Sequence, residues 1–162
     1  MQDHGVALDT FDLKLLALMQ KAADAPQAEI AERVGLSPSQ CSRRLRRLRD
    51  LGVIRRTALV LDPDRLGLKF EARVLVTLKD HSQANAALFR DAVAHTPEIL
   101  DCVALSGEAD FLISIIARDK DRFYRVLRDR LMACAAIATV RSSLVLEHLK
   151  EGAPLPLAEA GG

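Results

Sequence analysis

The sequence predicts an α+β chain in two parts: three short helices, then a β-α-β-β-α-β run. Three observations carry this. Residues 8–54 repeat apolar positions at helical spacing and are cut by turn residues at 24–26 and at Gly35. From Phe70 the rhythm changes to strict alternation, with Phe70, Ala72, Val74, Val76 and Leu78 set against Glu71, Arg73, Leu75, Thr77 and Lys79. Charge divides at the same place. Residues 1–61 hold ten Lys+Arg against seven Asp+Glu, whereas residues 62–162 hold 13 against 15. A basic part joined to a mildly acidic one indicates two jobs.

Residues 1–7 read as a short arm. Asp9 or Thr10 opens a first helix through about Lys21, with Phe11, Leu15, Leu18 and Met19 on one face and Leu8 and Leu16 beside it. Asp24, Ala25 and Pro26 interrupt it. Residues 27–34 make a second helix buried through Ile30, Ala31 and Val34, and Gly35 and Leu36 turn the chain into a third. Helix, glycine turn and capped helix over a supporting first helix is the helix-turn-helix pattern.

The third helix spans the stretch SPSQCSRRLRRLRDLGVI at 37–54. Ser37 suits the N-cap, Pro38 the first helical position and Gln40 the capping box, while Gly52 marks the end. At 100° per residue, Cys41, Leu45, Leu48 and Leu51 form a narrow apolar seam. Ser39, Ser42, Arg43, Arg46 and Asp50 point away from it, with Gln40, Arg44, Arg47 and Arg49 on the flanks. Residues 37–60 contain seven arginines and one acid, Asp50. Surface helices ordinarily mix both signs, so this donor-rich face fits the major groove, where Arg forks onto guanine and Ser or Gln reaches base edges or phosphate. Ser37, Ser39, Gln40, Ser42, Arg43, Arg44, Arg46 and Arg47 are the candidate contacts to double-stranded DNA. Residues 53–61 read as an extended wing whose Arg55 and Arg56 touch phosphate.

Asp62, Pro63 and Asp64 break the chain, and residues 62–69 read as a linker between a winged helix-turn-helix domain (1–61) and a second domain (70–151). In the second domain, strands at 70–79, 99–105, 110–117 and 138–149 enclose helices at 85–96 and from Asp119 to about Ala133. This order is ferredoxin-like. One sheet face stays open in that fold, yet Leu75, Leu112, Ile116 and Val145 make it apolar. A second copy of the chain is the economical cover, so a homodimer is expected, and two recognition helices then meet two half-sites. Residues 152–162, rich in Gly, Pro and Ala, read as a flexible tail, with Leu155 and Leu157 able to dock on a neighbour.

Other functions find little support. Cys41, Cys102 and Cys134 are odd in number and widely spaced, which argues against a disulfide framework and a zinc site. Cys41, on the inner seam, reads as core packing, with redox switching the alternative, and Cys102 is weighed in the same way. His4, His81, His95 and His148 form no ligand cluster, so neither metal nor cofactor is expected. No catalytic Ser/His/Asp set, phosphate-cradling loop or paired carboxylates stand out. No apolar run reaches membrane-spanning length, and no signal-peptide core is present, so a reduced cytoplasm is the expected location.

The motifs LDTFDLKLL (8–16), EIAERVGLS (29–37), RLRRL (44–48), GVI (52–54), SGEADF (106–111) and SSLVLEHLK (142–150) together resemble the Lrp/AsnC family of bacterial and archaeal regulators, from Leu8 to about Pro156. The resemblance implies a sequence-specific transcription regulator and no enzyme. It also implies C-terminal domains that pair into dimers, often tetramers or octamers, and an amino acid or related metabolite held in clefts between them. The family's Gly-x-x-Asp loop falls on Gly107, Glu108, Ala109 and Asp110, where glycine admits a carboxylate and an acid accepts from an α-ammonium. Gly107 serving the turn and Asp110 capping it is the alternative. The family's Thr-x-Thr on the fourth strand falls on Val140 and Ser142, which makes Ser142 the remaining hydroxyl candidate. Siroheme decarboxylases resemble the same two-domain architecture, but this chain lacks their histidines. A ligand-storage protein with a vestigial helix-turn-helix would not need the intact caps, seam and arginines.

Overall fold

The computed structural model describes residues 6–157 and divides into two compact units. One comprises the residues up to 60 together with those from 150, and the other residues 61–149.

The first unit contains helices α1 (Thr10–Met19), α2 (Gln27–Val34) and α3 (Pro38–Asp50). The Asp9 carboxylate caps α1 by accepting from the Asp12 N–H at 2.8 Å, and Asp12 accepts in return from the Asp9 N–H at 3.2 Å. At α2 the chain enters the left-handed region at Gly35 (φ 79°), and the Leu36 N–H bonds the Ala31 carbonyl at 2.9 Å. Ser37 then caps α3 immediately, so α2 and α3 are joined by the tightest turn the chemistry permits. Leu15, Leu16, Ile30, Ala31, Val34, Cys41, Leu45 and Leu48 form the core. Cys41, Leu15 and Leu48 are wholly buried.

Residues 53–61 differ from expectation. They are extended but form no strand among the described residues, and Leu59 and Val60 are 85% and 92% exposed. A strand needs a neighbour for its N–H and C=O groups, and no described residue of this unit supplies one. Residues 62–69 are also more ordered than a plain linker. The Asp62 carboxylate accepts from the Arg65 N–H, and the Leu68 N–H closes the turn on Pro63 at 2.8 Å.

The second unit is a four-stranded antiparallel sheet, β1 (Phe70–Leu78), β2 (Ile99–Ala104), β3 (Phe111–Ala117) and β4 (Ile137–Leu144), in spatial order β2-β3-β1-β4. Helix α4 (Gln83–Ala94) joins β1 to β2. Helix α5 (Lys120–Val126) continues as a π-helical turn, Leu127–Met132, before β4. The wider turn replaces the last α-helical turns expected up to Ala133, whose N–H bonds Arg128 five residues back at 3.1 Å. Phe89 of α4 and Phe123, Val126, Leu127 and Leu131 cover Ala72, Val74, Val76, Ile113 and Ile115. Burying each of these large side chains contributes about 2 kcal/mol. The fourth strand is shorter than expected, although the Val145 N–H still bonds the Glu71 carbonyl at 3.0 Å.

Register assigns the two faces, because residues directly opposed across an antiparallel pair share one. Leu75 faces Leu112 on β3 and Arg141 on β4, and Thr77 faces Thr139. The uncovered face therefore mixes Leu75, Val103, Leu112 and Ile116 with Glu71, Arg73, Thr77, Thr139 and Arg141. Leu75 and Val103 remain 37% and 41% exposed.

Candidate nucleic-acid interface and effector cleft

The face of α3 is selective about which cations it presents. Ser39, Arg43 and Arg46 project outward and are exposed, as is Arg49 one turn on. Among the described residues, Arg43, Arg46, Arg49, Arg55 and Arg56 make no ion pair, so their guanidinium donors are uncommitted. Ser37 and Gln40 are held in the capping box. The Gln40 N–H donates to Ser37 Oγ at 3.3 Å, and the Ser37 N–H to Gln40 Oε1 at 2.9 Å. Ser42 accepts from the side-chain amide of Gln27 on α2. Gln27, Arg46 and Arg49 line one crevice beside Ser42, and Gln27 and Arg49 extend the candidate set.

Two candidates are placed differently from the rest. Arg44 Nη1 lies 2.7 Å from both Asp9 Oδ2 and Asp12 Oδ1, and its guanidinium sits 5.5 Å from the Phe11 ring centroid. Arg47 donates to Asp12 Oδ2 at 3.0 Å and to the Ala7 carbonyl at 3.2 Å. Both arginines are turned toward α1, where Asp12 is 1% exposed and its buried carboxylate accepts from both. The hydrogen bonds that Arg44 donates to Asp12 and Asp9 raise its pKa. A carboxylate beside the buried Leu15 and Leu16 was the signal in the sequence that some cation had to turn inward.

The second unit carries a cleft of about 240 Å³ on its uncovered face. Its floor is the cross-strand set Leu75–Arg141 and Thr77–Thr139. Its overhang is the loop with Leu105, Gly107, Glu108 and Ala109. Of the candidate effector residues, Gly107 and Glu108 line this cleft, whereas Asp110 and Ser142 do not line it. Asp110 Oδ2 accepts from the Leu78 N–H at 2.7 Å, and its own N–H donates to Val76 at 3.0 Å. The carboxylate thus completes the end of β1. Ser142 is paired with Val74, whose side chain is wholly buried under the helices, so its hydroxyl lies on the opposite face from the cleft. One residue of register separates it from Arg141, which with Thr139 supplies the polar wall of β4.

Burial pushes the Cys41 thiol up, and burial with Asp101 does the same to Cys102, so neither is an activated nucleophile. His148 Nε2 lies 2.7 Å from Glu71 Oε2, while Arg73 donates to Glu71 Oε1 at 2.5 Å. Burial alone would raise the Glu71 pKa, but these two hydrogen bonds outweigh it and hold it below its ordinary value. The Asp9 pKa is lowered first by the Asp12 N–H and then by Arg44. A carboxylate with a depressed folded pKa stabilises the fold fully above its unfolded pKa and loses that contribution as pH falls through the folded one. The melting temperature is therefore expected to hold steady down to about pH 5 and to fall below about pH 4. In Glu71→Gln the acid-side fall of the sheet unit, read by the fluorescence of Tyr124, should be shallower; an unchanged slope would contradict the role given to Glu71.

An outward arginine face on the capped helix α3, together with a polar cleft on a separate sheet unit, defines a DNA-binding regulator with a ligand-binding module. Comparison with known proteins agrees. Residues 8–55 match the winged helix-turn-helix DNA-binding model, and residues 71–155 match the Lrp/AsnC ligand binding domain. The chain is 34% identical over 148 residues to the HTH-type transcriptional regulator AldR of Mycobacterium tuberculosis, covering 91% of this chain and 83% of that protein. It is 35% identical over 146 residues to the leucine-responsive regulatory protein of Rhizobium meliloti, covering 90% and 94%. The crystal structure of the transcriptional regulator NMB0573 of Neisseria meningitidis in complex with L-Met superposes with a TM-score of 0.89 at 34% identity, covering 94% of this chain and 98% of that one. The chain belongs to the Lrp/AsnC family of transcriptional regulators. It is thus a DNA-binding regulator with a ligand-binding domain, not an enzyme. No helix among the described residues is long and apolar enough to cross a membrane.

Proposed function

We propose that the protein reads an operator in the cytoplasm through Ser39, Arg43 and Arg46, and holds the DNA backbone through Arg49, Arg55 and Arg56. The observation that carries this reading is the set of unpaired arginines on the exposed face of α3, in contrast to Arg44 and Arg47, whose charge is spent inside the unit. Residues 1–61 then form the DNA-binding domain and residues 70–151 the domain for sensing and self-association. Association into a homodimer, and from there a tetramer or octamer, is supported by the exposed apolar run Leu59, Val60 and Leu61 on an unpaired extended segment, and by Leu75 and Val103 on the uncovered sheet.

The effector is a neutral amino acid with an aliphatic side chain. Arg141 is placed to fork onto the α-carboxylate and Glu108 to accept from the α-ammonium, while Leu75 and Leu105 give an apolar wall. The bound methionine of the Neisseria protein supports this class. The test is binding of the purified protein to its own upstream DNA in a salt series, with each amino acid in turn, and sedimentation of the same mixtures. One aliphatic amino acid should shift DNA affinity or assembly, and Arg141→Ala should abolish the shift while leaving basal DNA affinity unchanged. An equal response in Arg141→Ala, or a response only to an acidic or basic amino acid, would overturn the assignment.

A further inference from the structure

Residues 152–162, expected as a loose tail, belong in part to the helical unit. Within Ala153-Pro154-Leu155-Pro156-Leu157 the two prolines lack an N–H and bias the chain toward extension. Ala153, Leu155 and Leu157 keep their N–H, and the peptide groups of Leu155 are engaged at the end of α1. The Gln20 side chain takes both of them: the Leu155 N–H donates to Gln20 Oε1 at 2.6 Å, and Gln20 Nε2 donates to the Leu155 carbonyl at 3.4 Å. A primary amide engaging both the N–H and C=O of one residue imitates a neighbouring strand. Leu157 is half-buried against the helical core. The same groove is walled by Leu16 and Met19 of α1 and by Val53, Ile54 and the chain from Arg55 to Ala58.

We propose that residues 153–157 are a strap that seats in this groove and braces the extended segment 53–58, so that Arg55 and Arg56 meet DNA phosphate from a fixed position. Among the described residues of one chain, this segment pairs with no strand. The strap also continues the chain from β4, whose Thr139 and Arg141 wall the cleft, so it is a covalent route from the effector site to the DNA-reading unit. This inference rests on the DNA role proposed for Arg55 and Arg56.

The test uses the full-length protein, Gln20→Ala, Leu157→Asp and a chain ending at Glu151. Amide hydrogen exchange is followed without DNA, and operator binding is measured across a salt series. In all three variants the amide of Ile54, which donates to the Leu48 carbonyl at 3.1 Å, should exchange about tenfold faster or more, while those of Leu45 and Leu48 keep their protection. Operator affinity should fall about tenfold, and the salt slope should shrink by up to about 2 as two phosphate contacts are lost. Unchanged exchange of the Ile54 amide in Gln20→Ala and the truncated chain would overturn the strap. Faster exchange with unchanged affinity and slope would overturn its link to Arg55 and Arg56. Failure of the unaltered protein to bind DNA would instead remove the DNA reading, and the exchange comparison would still decide whether the strap is seated.

Discussion

Asp12→Ala is expected to destabilise the helical unit by about 2–3 kcal/mol, a large part of what a small domain has to lose. Asp12 is 1% exposed and accepts from Arg44, Arg47 and the Asp9 N–H. Removing one member of a buried pair typically costs about 3–5 kcal/mol, because the partner charge is left without compensation. Here the cost is moderated, since Arg44 and Arg47 side chains are 23% and 48% exposed and can turn toward water. The lost half of the capping box adds about 0.5–1 kcal/mol. The chain has one tyrosine and no tryptophan, so Tyr124 fluorescence reports the sheet unit, while circular dichroism follows the helices of both. In urea the helical transition should move to lower concentration while the tyrosine transition stays in place. Asp12→Asn, which keeps an acceptor for the cap, should lose less. A helical midpoint unmoved in Asp12→Ala would show that the inward arginines do not depend on this carboxylate.

The same network shows where reading the sequence stops. The seam of Cys41, Leu45 and Leu48, the caps at Ser37 and Gly35, and the alternation of β1 are local patterns, and each was legible because a few neighbouring residues determine it. The choice between Arg43 and Arg44 was not. Both belong to one basic run, and only the position of α1, with Asp12 facing α3, leaves the donors of one arginine outward and ties the other to a carboxylate. Ser142 and Arg141 repeat the lesson on β4. Their faces depend on a register set by pairing with β1, and an error of one residue exchanges the cleft for the helix-covered side. Asp110 was legible as a loop residue, but its bond to the Leu78 N–H joins parts of the chain 32 residues apart. The seat of Leu155 on Gln20 spans 135 residues, a distance over which periodicity carries no information.

Arg43→Ala combined with Arg46→Ala is expected to abolish discrimination between operator and scrambled DNA, with little change in fold stability. Each arginine that forks onto a base edge contributes about 1–3 kcal/mol of discrimination, so losing two reduces the specificity ratio by about a hundredfold or more. Neither side chain makes an ion pair among the described residues, so the helical unit keeps its core and its caps. Arg55→Ala with Arg56→Ala should behave differently. Affinity for operator and scrambled duplexes should fall together, and the salt dependence should lose about 0.9 for each phosphate contact removed. Arg44→Ala is the internal control: it sits in the same run, yet its loss should lower the helical melting temperature before it alters discrimination at temperatures where the unit is folded. Titrating the three variants against both duplexes across a salt series separates base contact, phosphate contact and structural counter-ion. Equal losses of specificity in all three would mean that the basic run acts as one undifferentiated patch, and the inward turn of Arg44 would then have no bearing on recognition.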